Sequence, residues 1–158
     1  MNDDLRRSMS RLVGTWRTEG QIVDGGEQDG QRWSGYDVYQ WFPGEQTMVH
    51  RVDVTMFGER SESIEFFTPR DGDGQSFDQT SYGADGTVER AVGSFDTDGR
   101  YHNDLPDVRA TLTFTGTDTM RAHWESRSDG AWTAWMDVVF TRIGPPDIVI
   151  RSRTDHEV

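Results

Sequence analysis

The chain of 158 residues predicts an all-β domain: a single antiparallel barrel of about eight to ten strands with a short N-terminal helix. Three observations carry this. From Gly14 onward apolar and polar residues alternate with period two. Turn chemistry, mostly Asp-Gly, interrupts the alternation at short intervals. No helical period falls between the runs, so consecutive strands meander instead of crossing over.

The elements follow in order. Asn2, Asp3 or Asp4 can cap a helix over residues 4–12, in which Leu5, Met9 and Leu12 fall at i, i+4 and i+7. Gly14 ends it. Strand runs then occupy 15–23, 33–42, 47–57, 61–68, 76–82, 88–95, 108–115, 119–127 and 131–142. Between them lie Asp24-Gly25-Gly26, Pro43-Gly44, Asp71-Gly72-Asp73-Gly74, Asp85-Gly86, Asp98-Gly99 and Asp129-Gly130. Asp-Gly suits a two-residue hairpin turn because both positions tolerate positive φ. Gly144-Pro145-Pro146 stops the last run. The barrel domain is therefore 1–143, and 144–158 is a tail in which 148–150 is apolar enough for one short edge strand.

Alternation assigns faces. Met48, His50, Val52, Val54 and Met56 share one face, and Arg51 and Asp53 form a solvated pair on the other. Tyr39 and Trp41 share a face with Trp33 and Asp37, and Tyr36, Val38 and Phe42 hold the other; both are apolar enough to be the inner one, and the Tyr39/Trp41 face is preferred. Glu62, Ile64 and Phe66 share a parity, as do Met120, Ala122 and Trp124, and Trp132, Ala134, Met136, Val138 and Phe140 form the longest apolar face. One wet face per strand marks an antiparallel sheet.

Composition narrows the function classes. Hydrophobic residues are only 33%, so six Trp, eight Phe and four Tyr must supply the core. Without Cys there are no disulfides and no thiolate chemistry; without Lys there is no Schiff base and no phosphate-loop lysine. The net charge of -12 repels nucleic acid and anionic membranes, so neither is an expected partner. Adaptation to high salt and a high-GC genome each explain a chain whose 16 basic residues are all Arg. No apolar run follows Arg6-Arg7, which argues against a signal peptide and for a cytoplasmic location. A homodimer is compatible with all of this.

Gly14-Thr15-Trp16 after a short helix resembles the Gly-x-Trp opening of lipocalin-like barrels, with the indole closing one end. Adding Tyr39-Gln40-Trp41-Phe42-Pro43-Gly44, Met48-Val49-His50-Arg51-Val52-Asp53 and the closing Trp132 and Thr141-Arg142, the chain resembles an uncharacterised bacterial family of calycin-type barrels, catalogued as a domain of unknown function. The likeness spans roughly Leu12 to Ile143 and implies the fold without an activity. Gly14, Trp16 and Gly20 also match the Gly-x-Trp-x-Gly-x-Gly opening of nitrobindin-like haem barrels. Thr18 stands in place of the middle Gly, however, and the closing strand has no His to hold haem iron, so no cofactor is expected.

His50 is the most informative residue: an imidazole on an apolar inner face must find a partner or meet a ligand. The expected ligand-binding set is His50, Tyr39, Trp41, Met48, Val52, Phe66, Trp124 and Met136. No metal is expected. Asp71-Gly72-Asp73-Gly74-Gln75-Ser76 begins like a calcium loop but lacks the sixth-position Gly and the twelfth-position Glu. His102, His123 and His156 lack zinc spacing. The leading expectation is a barrel that binds a small apolar or aromatic molecule inside. The alternatives are an isomerase, cyclase or hydratase using His50 as acid/base, and a filled barrel that binds a partner on its exterior.

Overall fold

The computed structural model describes residues 1–72 and 74–150; Asp73 and 151–158, with His156 and the end of the tail, lie outside the described residues. Helix α1 (Asp3–Ser10) is capped by Asn2, whose Oδ1 accepts the Leu5 N–H at 2.8 Å, while Asp3 and Asp4 sit in the first turn. The helix buries Leu5 and Met9, and Leu12 follows them into the core just past its end.

Ten antiparallel strands follow: β1 (Gly14–Ile22), β2 (Arg32–Trp41), β3 (Met48–Met56), β4 (Glu59–Pro69), β5 (Ser76–Gly83), β6 (Val88–Phe95), β7 (Tyr101–Asp104), β8 (Val108–Phe114), β9 (Thr119–Ser128) and β10 (Ala131–Gly144). Each pairs with the next, and β1 pairs with β10 to close a lipocalin-like barrel. Nine strands match the expected runs. The tenth, β7, has four residues and only one apolar side chain facing in, too short for alternation to register.

Turn geometry is more varied than the sequence pattern. Asp129 and Gly130 both have positive φ, as a tight hairpin turn requires, and Phe57-Gly58 does the same without an Asp. At Asp85-Gly86 and Asp98-Gly99 only the glycine is positive, and a nearby carboxylate ties the loop instead. Asp85 Oδ1 accepts the Thr87 N–H at 2.9 Å, and Asp96 Oδ1 accepts the N–H groups of Asp98 and Arg100 at 3.0 and 2.9 Å.

Two faces differ from simple alternation. A bulge between Ala134 and Met136 inserts Trp135, so parity flips along β10. Met136, Val138 and Phe140 point inward, Trp135 meets Trp124 edge-on at 6.1 Å, and Trp132 lies outside beneath the Arg109 and Arg127 guanidinium groups. On β4 the inner set is Ser63, Glu65 and Phe67, and Glu62, Ile64 and Phe66 face outward.

The helix end of the barrel is plugged. Trp16 is fully buried, donates its indole N–H to the Leu12 carbonyl at 2.7 Å, and lies 4.2 Å beneath the Arg142 guanidinium. Arg142 in turn donates to the carbonyls of Val13 and Arg11. Phe67, Phe77, Phe95 and Tyr101 stack behind this cap, with ring centroids 5.0 to 6.3 Å apart. A Cβ on Gly93 would stand 2.1 Å from the Phe77 ring, so only glycine lets that ring lie flat against β6. Beyond Gly144 the chain leaves the sheet. Residues 145–150 form no strand, and Gln40 on β2 holds the segment through the Ile148 carbonyl at 2.9 Å. Among the described residues no helix is long and apolar enough to cross a membrane.

Candidate functional site

Above the aromatic plug the interior opens into a cavity of about 480 Å³. Its two sides differ. Trp33, Val52, Val54, Met56, Trp124, Met136, Val138 and Phe140 make one wall apolar. Ser61, Ser63, Glu65, Gln79, Ser81, Glu89 and Asn103, from β4 to β7, make the other polar. Tyr39, His50 and Asp37 form the floor, and the lining reaches Arg60, Asp85 and Thr87 at the rim opposite the helix.

The floor is a continuous hydrogen-bond chain. The Thr18 hydroxyl donates to Asp37 Oδ2. His50 Nε2 lies 2.7 Å from Asp37 Oδ1, and His50 Nδ1 lies 2.7 Å from Glu65 Oε2. Gln79 Nε2 donates to the same Glu65 oxygen at 2.6 Å, and the Tyr101 hydroxyl donates to Gln79 Oε1 at 2.5 Å. The chain thus links β1, β2, β3, β4, β5 and β7 through the barrel interior. Strand register makes it possible: Tyr39 lies opposite His50, and His50 opposite Glu65.

A neutral imidazole has one N–H and one acceptor nitrogen, so only the imidazolium can donate to both carboxylates. Burial opposes that charge, but Glu65 and Asp37 outweigh it and push the His50 pKa up to about 9. The Tyr39 ring stacks on the imidazole, 3.8 Å between centroids and 7° from parallel. Burial, then the Asp37 charge, raises the Tyr39 hydroxyl well above its ordinary value; burial and then Glu65 do the same to Tyr101. Both phenols therefore stay protonated, and Tyr101 can donate.

Of the residues expected at a site, the structure gathers His50, Tyr39, Val52, Trp124 and Met136 around the cavity. Met48 is fully buried and Trp41 partly buried in the plug beneath it, where the Trp41 indole donates to Ser10 Oγ at 3.1 Å. Phe66 stands outside, edge-on to Tyr82 at 6.3 Å. Arg51 and Asp53 form an outer ion pair at 3.5 Å, with Arg60 joining the same carboxylate.

Sequence reasoning does not find Glu65, Thr18, Gln79, Tyr101 or Asn103, and it gives Asp37 a face without a role. The available signal is His50 itself, whose buried ring requires partners on the two strands that flank it. Two buried polar atoms have no partner among the described residues: Trp33 Nε1 and Asn103 Oδ1. The indole is pressed over Gly20, where a Cβ would stand 2.0 Å from the ring. Among the described residues no group of three or more His, Asp or Glu side chains is arranged to hold a metal ion.

No family model and no curated protein matches the sequence. In structure the chain is similar to the S-type phycobiliprotein lyase CPES from Guillardia theta, with a TM-score of 0.56 and 9% identity over 87% of this chain and 91% of that one. A de novo designed fluorescence-activating β-barrel aligns with a TM-score of 0.48 and 17% identity over 90% of this chain and 100% of its own. An odorant binding protein aligns with a TM-score of 0.37 and 16% identity over 92% and 77%. At such identities the lyase likeness is one of fold, and the other two add nothing to it. By its closed antiparallel sheet and N-terminal helix, this chain has the lipocalin-like barrel fold.

Proposed function

We propose that the chain binds a small molecule with an apolar or aromatic body inside its barrel. The observation that carries this is the cavity itself: about 480 Å³, closed below by packed rings and lined along one wall by Trp33, Val54, Trp124 and Met136. That volume lies within the range of about 300–1,000 Å³ usual for small-molecule sites. A barrel that served only as a scaffold would fill this space with side chains, as the helix half of the same barrel does.

Binding is favoured over catalysis by the state of His50. An acid/base role in an isomerisation, cyclisation or hydration needs a ring nitrogen within reach of the substrate. Both nitrogens are held by carboxylates and one ring face is covered by Tyr39. His50 therefore builds the floor.

Tryptophan fluorescence against a panel of neutral aromatic compounds and haem tests the reading. Trp33 and Trp124 line the cavity, so an occupant changes their emission. The variant Ser63→Phe places a ring in the cavity from the polar wall. It should abolish the response of every hit while leaving the urea midpoint near that of the parent. Hits that bind Ser63→Phe as they bind the parent lie elsewhere and contradict the reading.

A further inference from the structure

Taking interior binding as the function, we propose that the ligand is an organic cation: a protonated amine, or a similar nitrogen donor, on an apolar or aromatic body. Three observations lead there. First, the cavity is divided lengthwise, so its occupant is amphipathic, with one side for Trp33, Val54 and Trp124 and the other for the β4–β7 wall.

Second, the polar wall carries carboxylate acceptors that no described residue uses, beside serine hydroxyls that serve as donor or acceptor. Glu65 spends only Oε2 on His50 and Gln79, and its second oxygen makes no bond to a described residue. Asn103 is 7% exposed, lines the cavity, and has a side-chain oxygen that is buried and unpaired. Orphaning such a group is costly unless something else supplies the donor. Turning the Asn103 amide so that this oxygen faces the cavity would let a bound N–H do so. The other orphan, Trp33 Nε1, lies against Gly20 and is not part of this wall.

Third, the lining is electrically one-sided. Asp37, Glu65 and Glu89 lie on the inner face, with Glu62 and Asp85 at the rim, against two cations, His50 and Arg60. His50 is spent on the floor, and Arg60 is held at the rim by Asp53 and Glu62 at 2.8 and 3.0 Å. No described guanidinium in the lining is left to receive an anionic ligand. The Glu89 side chain makes no hydrogen bond or ion pair to a described residue and shares the inner face with Glu65, the two flanking Ser81 in register. An ammonium between them meets acceptors on both sides, with the indoles of Trp33 and Trp124 across the cavity.

The test compares three probes with one body: 2-(1-naphthyl)ethylamine, 2-(1-naphthyl)ethanol and 1-naphthylacetate. Each is titrated by fluorescence into the parent, Glu89→Gln and Asn103→Ala. The amine should bind about tenfold more tightly than the alcohol, and the carboxylate most weakly, as a charge-assisted hydrogen bond predicts. Glu89→Gln should reduce the amine's affinity by about threefold, as expected for an exposed charge, and leave the alcohol unchanged. Asn103→Ala should also weaken the amine while leaving the urea midpoint near that of the parent, because its side chain makes no hydrogen bond to a described residue. If the alcohol binds, is blocked by Ser63→Phe, and equals or exceeds the amine, the cation preference is overturned and interior binding stands. If none of the three probes binds, both fall.

Discussion

His50 and Glu65 stand directly opposite one another on β3 and β4, and Nδ1 of the first lies 2.7 Å from Oε2 of the second, well inside the barrel. A charge pair at this depth costs several kcal/mol of desolvation per ion, which its attraction and its remaining hydrogen bonds must recover. Here Asp37, Thr18 and Gln79 supply further hydrogen bonds, while the second Glu65 oxygen is left to the cavity. The arrangement also specifies register, because a one-residue slip of β3 against β4 would turn His50 outward and strand both carboxylates.

Removing the imidazole should therefore cost more than an ordinary buried histidine. His50→Leu leaves Asp37 and Glu65 buried without their cation, and should destabilise by about 3–5 kcal/mol in urea melts. Adding Glu65→Gln should return part of that loss, since one of the stranded charges is gone. A cost below about 1 kcal/mol, with no recovery, would mean that the pair does not hold the floor together.

Gly20 and Trp33 offer an independent check on the apolar wall. A Cβ at position 20 would stand 2.0 Å from the indole, so Gly20→Ala must push Trp33 out of place. The expected cost is about 1–3 kcal/mol, with a change in tryptophan emission. Trp33→Leu should remove most of the penalty, and additivity of the two changes would contradict the packing.

How much of this the chain announces in advance depends on the element. Strand placement is legible because Asp-Gly and Pro-Gly punctuate long runs with one apolar face, as in β3, β8 and β9. β7 is not, since Tyr101-His102-Asn103-Asp104 is four residues with little contrast. β4 misleads for a physical reason: Ile64 and Phe66 lie on one face and only Phe67 is strongly apolar on the other, so counting favours the wrong side. The interior face of β4 is instead defined by Glu65, an acid that faces inward because His50 is there to meet it. The bulge at Trp135 is equally silent in the alternation pattern, although it decides that Trp132 lies outside. His50, Tyr39 and the apolar wall are readable from period two alone; their polar partners depend on cross-strand register.

Arg142 ties the end of β10 to the segment before β1, donating to the Arg11 and Val13 carbonyls while its guanidinium covers Trp16. Arg142→Ala should destabilise by about 2–3 kcal/mol through the lost charge-assisted hydrogen bonds and the uncovered indole. Arg142→Lys should recover little, because a point charge cannot serve two carbonyls and lie flat over a ring. Thermal melts of the two variants decide this, and full rescue by Lys would count against it.

Surface charge makes a separate prediction. With a net charge of -12 and no Lys, self-repulsion should weaken the fold at low ionic strength. If the composition is a high-salt adaptation, the melting temperature should climb steeply from low salt to molar KCl as the repulsion is screened. A flat response would assign the bias to genomic composition.

The state of His50 decides between a binding barrel and an acid/base enzyme, and nitrogen NMR of histidine-labelled protein reads it directly across a pH titration. The folded-state pKa is raised from the ordinary 6.5 to about 9, so the stabilisation it brings is complete below about pH 6.5 and is lost as pH rises through about 9. At pH 7.5 both Nδ1 and Nε2 of His50 should carry a proton, with a midpoint near 9 and a matching decline in folding stability above neutrality. A midpoint below 7, with one unprotonated nitrogen at pH 7.5, would contradict the account: it would place a free base at the floor of the cavity.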